Sequence, residues 1–159
     1  MIDRKNSFDT RFIIILYRVG RYLKFHGGML GKPFYYLILL LYKIMQIIYG
    51  CSVPFNAEIG QNICFKHGLH GIFISDKAVI GDNVIIMHQV TIGSNFTSSK
   101  VITAPKIGNN VFIGPGAKII GKVIIEDNSK IGANALIIDM VCNGIYVAQR
   151  SYCIKEAVK

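Results

Sequence analysis

Charge is scarce in this chain, acids are scarcer, and its cysteines form no pattern. Only 17% of the 159 residues are charged while 52% are hydrophobic, which excludes a disordered regulator. Cys51, Cys64, Cys142 and Cys153 show no CxxC spacing and no metal-finger pattern with the four histidines. That excludes a disulfide framework or zinc site and reads as free cytosolic thiols. No small-residue cleavage site follows the short apolar run near the start, where Arg18 and Arg21 come at once, so the start is not a secretory signal. At 17.7 kDa there is room for one domain plus a small appendage, not for separate cofactor and substrate lobes. Nine acids stand against 18 Lys and Arg, a net charge of +9, which points to an anionic partner: nucleic acid, membrane or a phosphorylated ligand. A mean hydropathy of +0.42 implies that some of the surface meets lipid or another subunit.

Residues 1–52 hold 8 Lys and Arg against 2 Asp and form the cationic part. Phe12, Ile15, Leu16, Val19, Tyr22 and Leu23 recur at three- and four-residue steps with Arg11, Arg18 and Arg21 on another side, the pattern of a basic amphipathic helix. After Gly27-Gly28 and Pro33, residues 34–50 read as a second helix, apolar on nearly all sides but shorter than the roughly 20 residues a bilayer span needs. The pair is expected either to pack on a partner subunit or to lie in an anionic membrane surface.

From residue 53 the period becomes six. The aliphatic position i is filled by Val53, Ile59, Phe65, Ile74, Ile80, Ile86, Ile92, Ile107, Ile113, Ile119, Ile125, Ile131 and Ile137. Small or β-branched residues recur at i+4, glycine at i+1, and Asn or Gly at i+3, where a left-handed backbone is tolerated. Each hexad is therefore a short strand and a sharp turn, and three hexads per coil build a triangular parallel prism with an aliphatic core. Over 53–142 the sequence resembles the hexapeptide-repeat acyltransferases, whose coils are left-handed β-helices. The expected fold is mainly β: a left-handed parallel β-helix over 53–142, preceded by two short N-terminal α-helices in 1–52 and followed by a capping tail at 143–159.

Two insertions interrupt the repeat, three residues between Phe65 and Ile74 and nine between Ile92 and Ile107. Regular coils make scaffold, so these departures mark the site. His67 and His88 both occupy i+2 and, once the three-residue bulge is subtracted, lie one coil apart. Their imidazoles are expected to stack on one prism edge about 5 Å apart vertically. His70 sits in the bulge, and the longer loop is expected to leave directly above His88. Paired imidazoles favour general-base removal of a proton from an acceptor hydroxyl attacking a thioester carbonyl.

The runs HGLHGIFIS, HQVTIGSN and APKIGNNVFIGPGAKIIG resemble the serine acetyltransferase branch and its relatives in polysaccharide gene clusters. That resemblance implies acetyl-CoA as donor with no metal, His67 as general base with His88 beside it, and a homotrimer or dimer of trimers whose grooves hold the pantetheine arm. Ser94, Pro115 and Ala133 would line the arm, and Lys130 would meet phosphate. Lys66, His70 and Thr103 would face the acceptor. Four positions depart from the branch: its supporting aspartate falls on Ser52, the acid before its histidine on Lys66, and its Arg-His pair on Thr103 and Ala104. Without those groups a zwitterionic amino acid lacks its charged partners. The expected acceptor is therefore a sugar hydroxyl of a capsule or lipopolysaccharide precursor, small or lipid-linked, met in the cytoplasm or at the inner face of its membrane. Serine O-acetylation for cysteine synthesis is the alternative, and a non-catalytic oligomerisation scaffold or N-acetylation of an amino sugar are minor ones. A zinc carbonic anhydrase of this fold is set aside because His67, His70 and His88 do not match its spacing. Nucleic acid is set aside because the basic residues sit in apolar helices and not along a groove with stacking aromatics.

Overall fold

The structure is a computed structural model, described here over residues 6–95, 102–138, 141–142 and 144–146. Helices α1 (Phe8–His26) and α2 (Gly28–Tyr49) precede fourteen short strands among the described residues. These are β1 (Glu58–Ile59), β2 (Cys64–Phe65), β3 (Phe73–Ile74), β4 (Val79–Ile80), β5 (Ile85–Ile86), β6 (Thr91–Gly93) and β7 (Lys106–Ile107). They continue as β8 (Phe112–Ile113), β9 (Lys118–Ile120), β10 (Ile124–Ile125), β11 (Lys130–Ile131), β12 (Leu136–Ile138), β13 (Val141–Cys142) and β14 (Ile145–Tyr146). Consecutive strands belong to three different parallel sheets: β1-β4-β7-β10-β13 forms the first face, β2-β5-β8-β11-β14 the second and β3-β6-β9-β12 the third. The chain therefore winds once round three faces per coil, as the six-residue period predicts.

All thirteen aliphatic hexad positions are buried, as are the i+4 residues from Ala57 to Ala135. Strands β1 to β12 each place their aliphatic position in this core, so stability comes from stacking like on like along the axis, each buried aliphatic contributing roughly 1.5–3 kcal/mol. The turns are equally determined. Asn62, Asn83, Asn110 and Asn128 take left-handed φ values of 54°, 57°, 57° and 63° at the corner between the first and second faces. A Cβ on Gly81 would stand 2.7 Å from the Gly108 carbonyl oxygen, so that level of the stack admits only glycine.

The helices close the lower end of the prism, where the first coil leaves carbonyls without a strand beneath them. Tyr42 Oη (2.7 Å) and Gln46 Nε2 (2.9 Å) donate to the Val53 carbonyl. Tyr17 Oη donates to Ala57, Arg21 to the carbonyls of Phe55, Asn56 and Ala57, and Arg18 to those of Ile59 and Gly60. Asn6 both donates to the Ile63 carbonyl and accepts from Phe65 N–H, each at 2.8 Å. A strand edge that would otherwise recruit another chain is thus satisfied from within.

The apolar stripe of α1 is not the side that meets the prism. Its inward side carries Ile13, Leu16, Tyr17 and Gly20 with Arg18 and Arg21, while Phe12, Ile15, Val19 and Tyr22 are exposed. Periodicity groups the apolar residues correctly, but the prism end offers bare carbonyls, and cations answer those better than methyl groups do. The second helix also begins earlier than residue 34: α2 starts at Gly28 and runs through Pro33. The amide hydrogen that Pro33 lacks would have served Met29, whose turn is exposed. No helix among the described residues is long and apolar enough to cross a membrane. Most of the tail, from residue 147, lies outside the described residues; β14 pairs with β11 on top of the second face.

Candidate active site

The corner between the second and third faces carries His67, His88, Pro115 and Ala133 one above another. Each lies two positions beyond an inward residue, Phe65, Ile86, Ile113 and Ile131, and those four strands are paired in register. Vertical backbone bonds hold the column: Gln89 N–H to His70 O (2.9 Å), Gly116 N–H to His88 O (3.1 Å) and Asn134 N–H to Pro115 O (2.8 Å). The rings of His67 and His88 are 5.8 Å apart between centroids and inclined at 75°, edge to face, close to the one-coil spacing read from the sequence.

The lowest level differs from those above it. Gln89, Gly116 and Asn134 each supply one left-handed residue to the turn, with φ of 58°, 72° and 55°. At the bottom both His67 (φ 65°) and Gly68 (φ 78°) are left-handed. A non-glycine residue held there stores backbone strain, which the surrounding bulge must over-determine. His67 is exposed and His88 half-buried, and the Nδ1 of His88 is buried with no hydrogen-bond partner among the described residues.

Around this column the other expected residues divide. Lys66 is half-buried beside His67, and its N–H donates to Ile86 O at 3.0 Å. His70 is exposed, its ring 4.8 Å from that of Tyr49. Lys130 is exposed on β11, on the second face just before Ala133. Ser94 and Thr103 are elsewhere. Ser94 follows β6, and the Asn95 N–H donates to Thr103 O at 3.0 Å, closing the neck of the long loop at the corner between the third and first faces. The loop therefore leaves from the next corner and not from above His88, because β6 intervenes; residues 96–101 lie outside the described residues. Ser52 is exposed and bridges Phe73 on the third face.

Three contributors to this corner have no signal in the sequence. Lys118 Nζ reaches the Gln89 carbonyl (2.9 Å) and Thr91 Oγ1 (3.2 Å), bracing the level of His88. Tyr49 and Asp9 come from the helices, and the Tyr49 hydroxyl donates to Asp9 Oδ2 at 2.5 Å. The Ser7 side chain and then this bond hold the Asp9 carboxyl down at about 2, and the carboxylate pushes the Tyr49 phenol up to about 12. No cluster of three or more His, Cys, Asp or Glu among the described residues is arranged to hold a metal ion.

The bacterial transferase hexapeptide (six repeats) family matches residues 104–139, the stretch that holds β7 to β12. The serine acetyltransferase of Helicobacter pylori is 35% identical over 113 residues, 71% of this chain and 65% of that protein. Serine acetyltransferase isoform 3 of Entamoeba histolytica, solved with cysteine, superposes with a TM-score of 0.75 at 27% identity over 94% of this chain and 51% of that one. The chain carries the hexapeptide repeat and is similar to the serine acetyltransferases. Its prism is accordingly the left-handed β-helix. A serine acetyltransferase solved in complex with CoA superposes at a TM-score of 0.68 and 29% identity, over 86% of this chain and 52% of that one. This hexapeptide-repeat protein thus spans about half to two thirds of the length of the relatives it matches.

These likenesses correct the acceptor read from the sequence. A sugar of a capsule or lipopolysaccharide precursor was inferred from what Ser52, Lys66, Thr103 and Ala104 lack, yet the relatives it matches in sequence and in fold are serine acetyltransferases. Missing charges at four positions do not specify a new substrate, because neighbouring groups can supply the same contacts.

Proposed function

We propose that the chain is an acetyl-CoA-dependent O-acetyltransferase that acetylates the hydroxyl of serine. The observation that carries this reading is the pair of imidazoles at one corner, His67 strained and exposed, with Pro115 and Ala133 stacked directly above. His67 takes the serine hydroxyl proton as the oxygen attacks the thioester carbonyl. The tetrahedral adduct then collapses, the C–S bond breaks, and the imidazolium returns the proton to the departing CoA thiolate. His88, whose buried Nδ1 has no partner among the described residues, orients His67 or the attacking hydroxyl. Pro115 and Ala133 form the wall for the pantetheine arm, and Lys130 on the adjoining face meets a phosphate of CoA.

Ser94 and Thr103 stand one whole face away from His67 within the chain, so they join the same cleft only across the groove between two prisms. A homotrimer supplies that groove three times. The exposed apolar stripe of α2, including Phe34, Leu37, Leu40 and Ile44, is the surface on which peripheral membrane docking would rest. The stretch 10–57 contains no acid, which favours an anionic lipid surface over a second cationic helix pair.

The deciding experiment is release of free CoA from acetyl-CoA with L-serine as acceptor, beside His67→Ala and a binding control for acetyl-CoA. Serine-dependent release that vanishes in the variant with donor binding intact is the expected result. Donor binding without serine turnover in the parent chain would overturn serine as the acceptor.

A further inference from the structure

The bulge at the histidine corner is clamped from outside the prism. Tyr49, the last residue of α2, accepts the Gly71 N–H on its carbonyl at 3.3 Å. Its ring packs on the His70 ring at 4.8 Å between centroids, inclined at 43°. Both side chains crowd Gly68, where a Cβ would stand 3.3 Å from His70 Cδ2, 3.6 Å from His70 Nε2 and 3.5 Å from Tyr49 Cε1. The far end of Tyr49 is anchored in turn, its hydroxyl donating to Asp9 in the first turn of α1. On the other side, the His70 carbonyl accepts the Gln89 N–H and so is fixed to the level of His88. The segment 67–71 is thus gripped between the helix pair and the coil above, and the exposed imidazole of His70 is presented next to the His67-Gly68 turn.

We propose that Asp9 and Tyr49 are positioning residues for His70, and that His70 so held grips the carboxylate of the acceptor while His67 works on its hydroxyl. This rests on the acetyl-transfer reading above. A serine carboxylate needs a donor, and the branch's Arg-His pair is replaced by Thr103 and Ala104 at another corner. Lys66 and His70 flank His67 at its own corner, and among the described residues it is His70 that Tyr49 braces from outside the prism. The turn so braced carries two left-handed residues, His67 and Gly68, where the levels above use one.

The test compares Tyr49→Phe, which keeps the ring and loses the Asp9 bond, with Tyr49→Leu, Asp9→Asn and His70→Gln. The readouts are KM for L-serine, KM for acetyl-CoA, the preference for L-serine over L-serinamide, and the His70 ring resonance by NMR. Losing one hydrogen-bond anchor is expected to raise the serine KM roughly three- to tenfold, with the acetyl-CoA KM unchanged. The His70 resonance should move in Tyr49→Phe and Asp9→Asn, and His70→Gln should erase most of the preference for serine over its amide. Unchanged serine KM and unchanged His70 resonance in both Tyr49 variants would overturn the proposal. So would a parallel rise of both KM values with a lowered Tm, the mark of general loosening. If the parent chain turns over no serine, the acceptor reading fails by itself, and movement of the His70 resonance still decides whether Asp9 and Tyr49 position that ring.

Discussion

From Lys106 to Ile138 the coils repeat without interruption, whereas the two coils below them carry three extra residues after Phe65 and nine after Ile92. Both regions bury the same aliphatic column and use the same parallel pairing. They differ in their corners. The upper corners turn on one left-handed residue and end in Pro115 or Ala133, side chains that only shape a wall. The lowest corner turns on two and ends in an imidazole, and α2 supports it through Tyr49. A stacked solenoid makes this division natural: each coil depends mainly on its neighbours, so a bulge can be accommodated at one level without disturbing the next.

The comparison breaks most sharply in a catalytic measurement. His67→Ala is expected to lose about 10²- to 10⁴-fold in kcat with Tm unchanged, because a strained exposed group contributes to chemistry and little to packing. An equal fall in Tm would mean that His67 is structural. In the regular coils the opposite pattern holds: Ile113→Ala empties a fully buried layer and is expected to cost about 2–5 kcal/mol in denaturant unfolding. At the lower end, Arg18→Met strips the donors from the carbonyls of Ile59 and Gly60 and should cost about 1–3 kcal/mol. Added tendency to associate through the uncovered edge, seen by light scattering, would accompany it.

The smallest effect is in the pH dependence of the helix clamp. Asp9 is held at about 2 against 3.8 for the free group, so its contribution is complete above pH 4 and is lost as pH falls toward 2. Tyr49 is raised from 10.0 to about 12, so its contribution is complete below pH 10 and is lost as pH rises toward 12. Asp9→Asn should flatten both limbs of the Tm-against-pH curve, and a curve identical to that of the parent would show that the pair does not stabilise the fold.

The hexads were legible because a period of six is a local property: each unit presents the same residue to the same place. That was enough to locate the aliphatic column, the asparagine corners and the stacking of His67 on His88. The N-terminal helices were legible as helices, but the side that meets the prism is not written in them. Phe12, Ile15 and Val19 group as an apolar stripe, yet the side that meets the prism is chosen by unsatisfied carbonyls at Val53, Ala57 and Ile59, which no helix sequence records. The long loop was assigned to the wrong corner because sequence distance from His88 hides the strand between them. The acceptor was misread because it was argued from residues that are not there.

By itself, then, the sequence determined the prism, its core and the column of histidines, since stacking identical hexads leaves one way to bury isoleucine at every sixth position. Tertiary structure alone decided how the prism ends, which corner the loop leaves from, and that Asp9 and Tyr49, forty residues apart, meet beside His70. Those outcomes depend on contacts between segments with different periods, and neither period contains information about the other.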